Sequence, residues 1–215
     1  MKKIVFLSIF IIFSFFSYDT KASNIGYNDY KWTHDHPLLL SFVKENKERI
    51  LEFTPYKIKH SKKYEDFINS VLKYENVPKE IMILAGIESG FRVNVKSHSQ
   101  AVGMWQFLEL TAEEWGLRVN KYRDDREDWK KSTIAAVRYL KWMAEKHFNN
   151  NYEMAILAYN AGIGRINKLR KKYKTNDPWV LISKPDLPKE SKEYLPKFLS
   201  YMHYFYFLKN NKKNI

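Results

Sequence analysis

Glu88 is the residue on which chemistry can be built. It closes the apolar run Ile81-Met82-Ile83-Leu84-Ala85-Gly86-Ile87, just ahead of Ser89-Gly90. Ile81, Leu84, Ala85 and Glu88 stand at i, i+3, i+4 and i+7, so on a helix the carboxylate shares a face with apolar side chains. Burial penalises the charged form and raises the pKa, and a carboxyl still protonated near neutral pH is what a general acid must be. A lone Glu closing an apolar run is more often turned to solvent or paired with a Lys, so the residues that follow decide the reading. Phe91, Gly103, Met104, Trp105, Gln106 and Phe107 supply rings, an amide and flexible backbone, a set that packs against sugar rings and hydrogen-bonds their amides.

Glu88-Ser89, then Ser97, then Ala101-x-Gly103-x-Trp105-Gln106-Phe107, and later Ala158-Tyr159-Asn160-Ala161-Gly162 follow one another in the order of the signature blocks of the lytic transglycosylase domain. From about residue 62 to 208 the chain resembles that family, whose fold is similar to goose-type lysozyme. The match is closest to the D-type membrane-bound lytic murein transglycosylases. It continues through Asp124-x-Arg126-x-Asp128 and through Leu187-Pro188-x-Glu190 to Tyr194-x-Pro196-Lys197. Ile163, where Pro is frequent, and Val93, where an Asn-Pro pair is common, depart from the pattern without touching the chemistry.

The resemblance implies an all-α, lysozyme-like domain with a substrate cleft between helices, and peptidoglycan glycan strands as substrate. It makes Glu88 the catalytic residue and Ser97, Met104, Gln106, Tyr159, Asn160, Glu190 and Tyr194 the substrate-binding set, with no metal or cofactor. In that chemistry Glu88 first protonates the oxygen between N-acetylmuramic acid and N-acetylglucosamine. It then takes the proton of the muramic acid's own 6-hydroxyl, which closes a 1,6-anhydro ring. Ordinary glycoside hydrolysis uses two carboxylates, and the sequence offers one convincing acid. A hydrolytic muramidase would need Glu190 or an acid of the 124–128 segment as the second. A non-catalytic peptidoglycan-binding component of an envelope complex is the remaining alternative; intact Glu88, Gln106 and Tyr159 argue against it.

The elements that must position these residues are legible as helices. Pro78 suits a first helical turn, and Ser89-Gly90 stops the helix. The polar stretch to Gln106 reads as a loop carried by two helices. Ala136, Val137, Leu140, Ala144 and Phe148 form one stripe, Tyr152, Ala155, Ile156 and Tyr159 another, and a last aromatic helix covers Lys189 to Leu208. Asp124, Arg126 and Asp128 read as a salt-bridged loop with Asp128 capping the next helix. Asn176-Asp177-Pro178 reads as a chain break.

Residues 1–22, with Lys2-Lys3, an apolar run and Thr20-Lys21-Ala22, read as a signal peptide, with an uncleaved anchor as the alternative. The expected location is therefore periplasmic. Residues 23–61 read as a helical extension packed on the domain, with a helix between Pro37 and Pro55, and residues 209–215 as a basic tail. His34 and His36 are too closely spaced, without a third ligand, to make a metal site. The net charge of +13 points to anionic partners. In an exported chain without a nucleic-acid motif those are the cell-wall polymer, a membrane surface touched peripherally, or an envelope complex rather than nucleic acid. A monomer is expected. The absence of Cys excludes disulfides, thiol catalysis and a lipidated cysteine. D-type members usually carry a lipid anchor and cell-wall-binding repeats, so recruitment here is expected to rest on the cleft, the positive charge or a partner.

Overall fold

The computed structural model describes residues 30–211, so the signal peptide read from residues 1–22 and the last four residues of the tail lie outside the described residues. Helices α1 (Pro37–Ser61) and α2 (Glu65–Tyr74) precede a 3₁₀ turn (Lys79–Ile81) that runs into α3 (Met82–Glu88). A loop leads to α4 (Glu109–Glu114) and to a small antiparallel hairpin of β1 (Val119–Asn120) and β2 (Arg123–Asp124). Then come α5 (Trp129–Trp142), prolonged by a π-helical turn (Met143–His147), and α6 (Tyr152–Ala161). The order ends with α7 (Ile163–Tyr173), α8 (Pro178–Ile182) and α9 (Lys189–Asn211). The described chain is thus mainly α, as the periodicity predicts.

Two helices lie at the centre. Residues 154–158 of α6 and residues 81–86 around the start of α3 are buried without a break, because both segments are apolar all round. Each central helix carries polar side chains in its last turn: α3 ends on Glu88, and α6 presents Tyr159 and Asn160 just before Ala161. Helices α5, α7 and α9 pack around α6, and α9 also lies against α1 and α3.

The segment before residue 62 is part of this body. Buried Glu153 on α6 accepts hydrogen bonds from the Thr33 backbone N–H at 2.7 Å, the Thr33 hydroxyl at 3.0 Å and the Trp179 indole N–H at 3.1 Å. That carboxylate fastens the N-terminal strand of chain to α6 and α8. His34 faces the His203 ring at 3.1 Å, while the His36 ring caps α1 by accepting from the Leu38 N–H and stacks on Trp179.

Three boundaries differ from the sequence reading. Helix α1 passes through Pro55 to Ser61, with a kink at Asn46, because Thr54, Ile58 and Ser61 are buried on its far half. That burial outweighs the roughly 3 kcal/mol an interior proline costs. Asn176-Asp177-Pro178 starts a helix instead of only breaking one: the Asp177 carboxylate accepts from the Trp179 N–H and Pro178 fills the first helical position. Helix α9 runs three residues beyond Leu208, into the stretch whose composition reads as a basic tail.

Candidate active site

Helix α3 ends where Gly90 and Phe91 adopt left-handed backbone, with φ of 65° and 61°. The Ser89 hydroxyl donates to the Met104 carbonyl at 2.8 Å, tying the helix end to the loop below it. Glu88 is half-buried, so its carboxyl is reachable yet stripped of most water. Burial pushes that carboxyl up to about 7, and the negative charge of Glu190 adds to the push. The Tyr194 hydroxyl, which donates to Glu88 Oε1, and the cationic Lys197 pull in the other direction. Burial and the charge of Glu88 hold Tyr194 far above its ordinary value, so it stays a donor.

The loop from Ser89 to Phe107 is held from several sides. Gly103 has φ of 84°, and a Cβ there would lie 1.9 Å from the Arg126 carbonyl oxygen, so glycine alone fits. Buried Arg126 is gripped by Asp124 and donates from Nη1 to the Gln100 and Phe107 carbonyls, each at 3.3 Å. The Gln106 amide donates to the Gly103 carbonyl at 2.9 Å and the Val95 carbonyl at 3.1 Å. Fully buried Trp105 donates its indole N–H to the Thr133 hydroxyl at 2.9 Å. From α6 the Tyr159 hydroxyl donates to the Trp105 carbonyl at 2.7 Å.

The structure therefore sorts the candidates. Glu88 and Tyr194 are in direct contact. Tyr159 is half-buried and feels the charge of Glu88, but its hydroxyl is engaged by Trp105 and so supports the loop. Asn160 follows it, half-buried, on α6. Glu190 is exposed at the start of α9 and acts on Glu88 through its charge. Gln106 has its amide N–H groups turned onto the loop backbone. Ser97 accepts from the Ala101 N–H at 3.0 Å and pairs with the Ser99 hydroxyl at 2.9 Å, closing a turn. Met104 corrects the expectation of a sugar contact: its side chain is 0% exposed because it fills the core beneath the loop, and only its carbonyl serves the site.

Three residues escaped the sequence reading. Lys197 stands in the Tyr194-x-Pro196-Lys197 block, and its i+3 spacing from Tyr194 was the available signal. Arg126 reads from the sequence as a loop ion pair, whereas its second set of hydrogen bonds fixes the site loop. Lys57, on α1, whose ammonium sits 3.9 Å from the centre of the Tyr201 ring on α9, had no signal in the sequence. Among the remaining acids, Asp124 is held below the usual carboxylate range by the Arg126 guanidinium. Burial would raise Asp125, but Lys131 and Arg123 hold it down at about 2. Both are committed to ion pairs.

A profile of the Transglycosylase SLT domain family matches residues 65–182. The chain belongs to this family. The family match includes Glu88, the pinned loop and Tyr159, while Tyr194, Lys197 and all of α1 lie beyond it. The membrane-bound lytic murein transglycosylase D of Escherichia coli is 31% identical over 178 residues, covering 80% of this chain and 38% of the relative. The chain thus spans well under half of that relative's length. In fold it is similar to the 70 kDa soluble lytic transglycosylase of Escherichia coli, with a TM-score of 0.58 and 24% identity over 67% of this chain and 24% of that one. It is similar too to an inactive mutant of the lytic transglycosylase Slt from Pseudomonas aeruginosa, with a TM-score of 0.57 and 21% identity over 68% of this chain and 24% of that one.

Proposed function

We propose that the chain is a peptidoglycan lytic transglycosylase, cleaving the bond between N-acetylmuramic acid and N-acetylglucosamine without water. The observation that carries this reading is the reachable carboxyl of Glu88, poised near neutrality by burial and bonded on Oε1 by Tyr194. The other oxygen is left to carry the proton to the glycosidic oxygen. Once ionised, the same carboxylate, steadied by Tyr194 and Lys197, takes the proton of the 6-hydroxyl as that oxygen closes on C1. A nucleophile within the same sugar has a large effective concentration, which removes the need for a second carboxylate to prepare water. The commitment of Asp124 and Asp125 to ion pairs supports the same reading. Proton transfer of this kind calls for no cofactor. The likeness to named lytic transglycosylases and the net charge of +13 support an envelope setting, in which the protein works as an exported, periplasmic monomer on the wall polymer.

The test is mass spectrometry of the soluble products released from purified peptidoglycan. Anhydro-ended muropeptides from the parent and none from Glu88→Gln support the proposal. Reducing ends would indicate a hydrolytic muramidase, for which Glu190, whose charge already reaches Glu88, is the first acid to replace. Binding without products from either protein would indicate a non-catalytic wall-binding module.

A further inference from the structure

Helix α1 lies outside the residues that the family match covers, yet it comes close to the end of α3 just beyond the acid. Around Gly90, two residues from Glu88, the nearest side chain is that of Tyr56, whose Cε1 would meet an added Cβ at 3.9 Å. One residue on, the Lys57 ammonium sits 3.9 Å from the centre of the Tyr201 ring. On α9, Tyr194, Lys197 and Tyr201 stand at i, i+3 and i+7, so the residue bonded to Glu88 and the ring under Lys57 share one stripe with Lys197 between them. Arg49, exposed on α1, adds a charge felt by both lysines and by Tyr201. No salt bridge among the described residues engages Arg49, Lys57 or Lys197. Lys197 feels the carboxylates of Glu88, Glu190 and Glu193 as well as the cation of Arg49, whereas the charges that act on Lys57 are those of Lys197 and Arg49. Burial, reinforced by those two cations, pushes the Lys57 ammonium down to about 7. Gathering like charges in a half-dry place costs stability, and an incoming anion would reverse that cost.

We propose that Lys57 and Arg49 of α1, with Lys197 of α9, form an anion subsite beside Glu88 that takes a carboxylate carried by the muramyl unit of the glycan strand. This rests on the proposed activity and names the part of the substrate that α1 recognises. The carboxylate comes either from the peptide stem or, on a strand without peptides, from the lactyl group. Lys57 and Arg49 act on binding and Glu88 on bond cleavage, so the subsite shows in KM.

The experiment compares three soluble glycans with the full chain: peptide-bearing strands, strands stripped of peptide, and strands whose carboxylates have been converted to neutral amides. The parent is expected to show a KM about tenfold higher on the neutralised strands than on an anionic one, with kcat little changed. A low KM on peptide-bearing strands alone assigns the site to stem carboxylates; a low KM on stripped strands as well assigns it to the lactyl carboxylate. Lys57→Gln should raise KM on the anionic strands and leave the neutralised strand unchanged, whereas Lys171→Gln, an exposed cation outside the cluster, should leave the discrimination intact. Lys57→Met should unfold at higher temperature than the parent while losing discrimination, which a merely structural lysine would not do. Equal KM on all three strands, or a Lys57→Gln effect that is the same on neutral and anionic strands, overturns the subsite and leaves the activity standing. If the parent turns over none of the strands, the proposed activity falls, and the subsite is judged by equilibrium binding of the same three glycans. Equal affinity for anionic and neutral strands then overturns it.

Discussion

The Tyr194 hydroxyl of α9 donates to Oε1 of Glu88 at the end of α3, joining two residues 106 positions apart in the chain. The contact opposes the burial that raises the Glu88 carboxyl, and it stabilises the ionised form. Removing it with Tyr194→Phe should move the alkaline limb of the kcat/KM profile to higher pH than the parent's, which is expected near pH 7. The rate should fall about tenfold, because the carboxylate form loses its steadying donor. A limb that stays in place, or moves to lower pH, would show that the hydrogen bond does not tune the acid.

Glu88 also leaves a mark on stability. Its folded pKa of about 7 lies above the ordinary value of 4.5, so between those values the folded state holds more protons than the unfolded one. Stability is then lost as pH rises through that window. Glu88→Gln lacks this penalty. Denaturant midpoints of the two proteins should coincide near pH 4.5 and separate toward pH 8 in favour of Glu88→Gln. Parallel profiles would mean that Glu88 is not desolvated.

Gly103→Ala tests the loop. The added Cβ meets the Arg126 carbonyl at 1.9 Å on a backbone with φ of 84°, so the loop or the hairpin must move. A loss of about 3 kcal/mol or more is expected from denaturant unfolding, above the common range for point changes. A loss under about 1 kcal/mol would indicate that the close approach to Arg126 is relaxed in solution.

Tyr159→Phe removes the donor to the Trp105 carbonyl while keeping the ring among Phe107 and Tyr139. The stability cost should be about 1 kcal/mol, the usual net worth of one hydrogen bond. Activity should fall by more than that cost explains, since the loop it supports carries the site. Unchanged stability together with lost activity would instead give the hydroxyl a direct role at Glu88.

The sequence made the helices and the acid legible because both follow from local spacing. Glu88 could be found from its i, i+3, i+4 and i+7 apolar partners, and Asp128 from its place before a helix; it does accept from the Lys130 and Lys131 N–H groups. Residues whose roles depend on distant chain were not legible. The passage of α1 through Pro55 rests on burial against α9, and the cluster of Lys57 with Lys197 exists only once those two helices pack. Met104 failed for the opposite reason. Its position in a functional motif suggested a ligand contact, whereas the need to fill the volume beneath the loop took its side chain inward.

The most direct measurement is to digest purified peptidoglycan with the chain in heavy-oxygen water and to weigh the new chain ends. If Glu88 delivers and then recovers a proton while the 6-hydroxyl closes the ring, the new muramyl ends are anhydro and carry no heavy oxygen from solvent. New ends that incorporate one heavy oxygen each would contradict the account, because a water molecule, and a second group to activate it, would then have done the work assigned to the 6-hydroxyl.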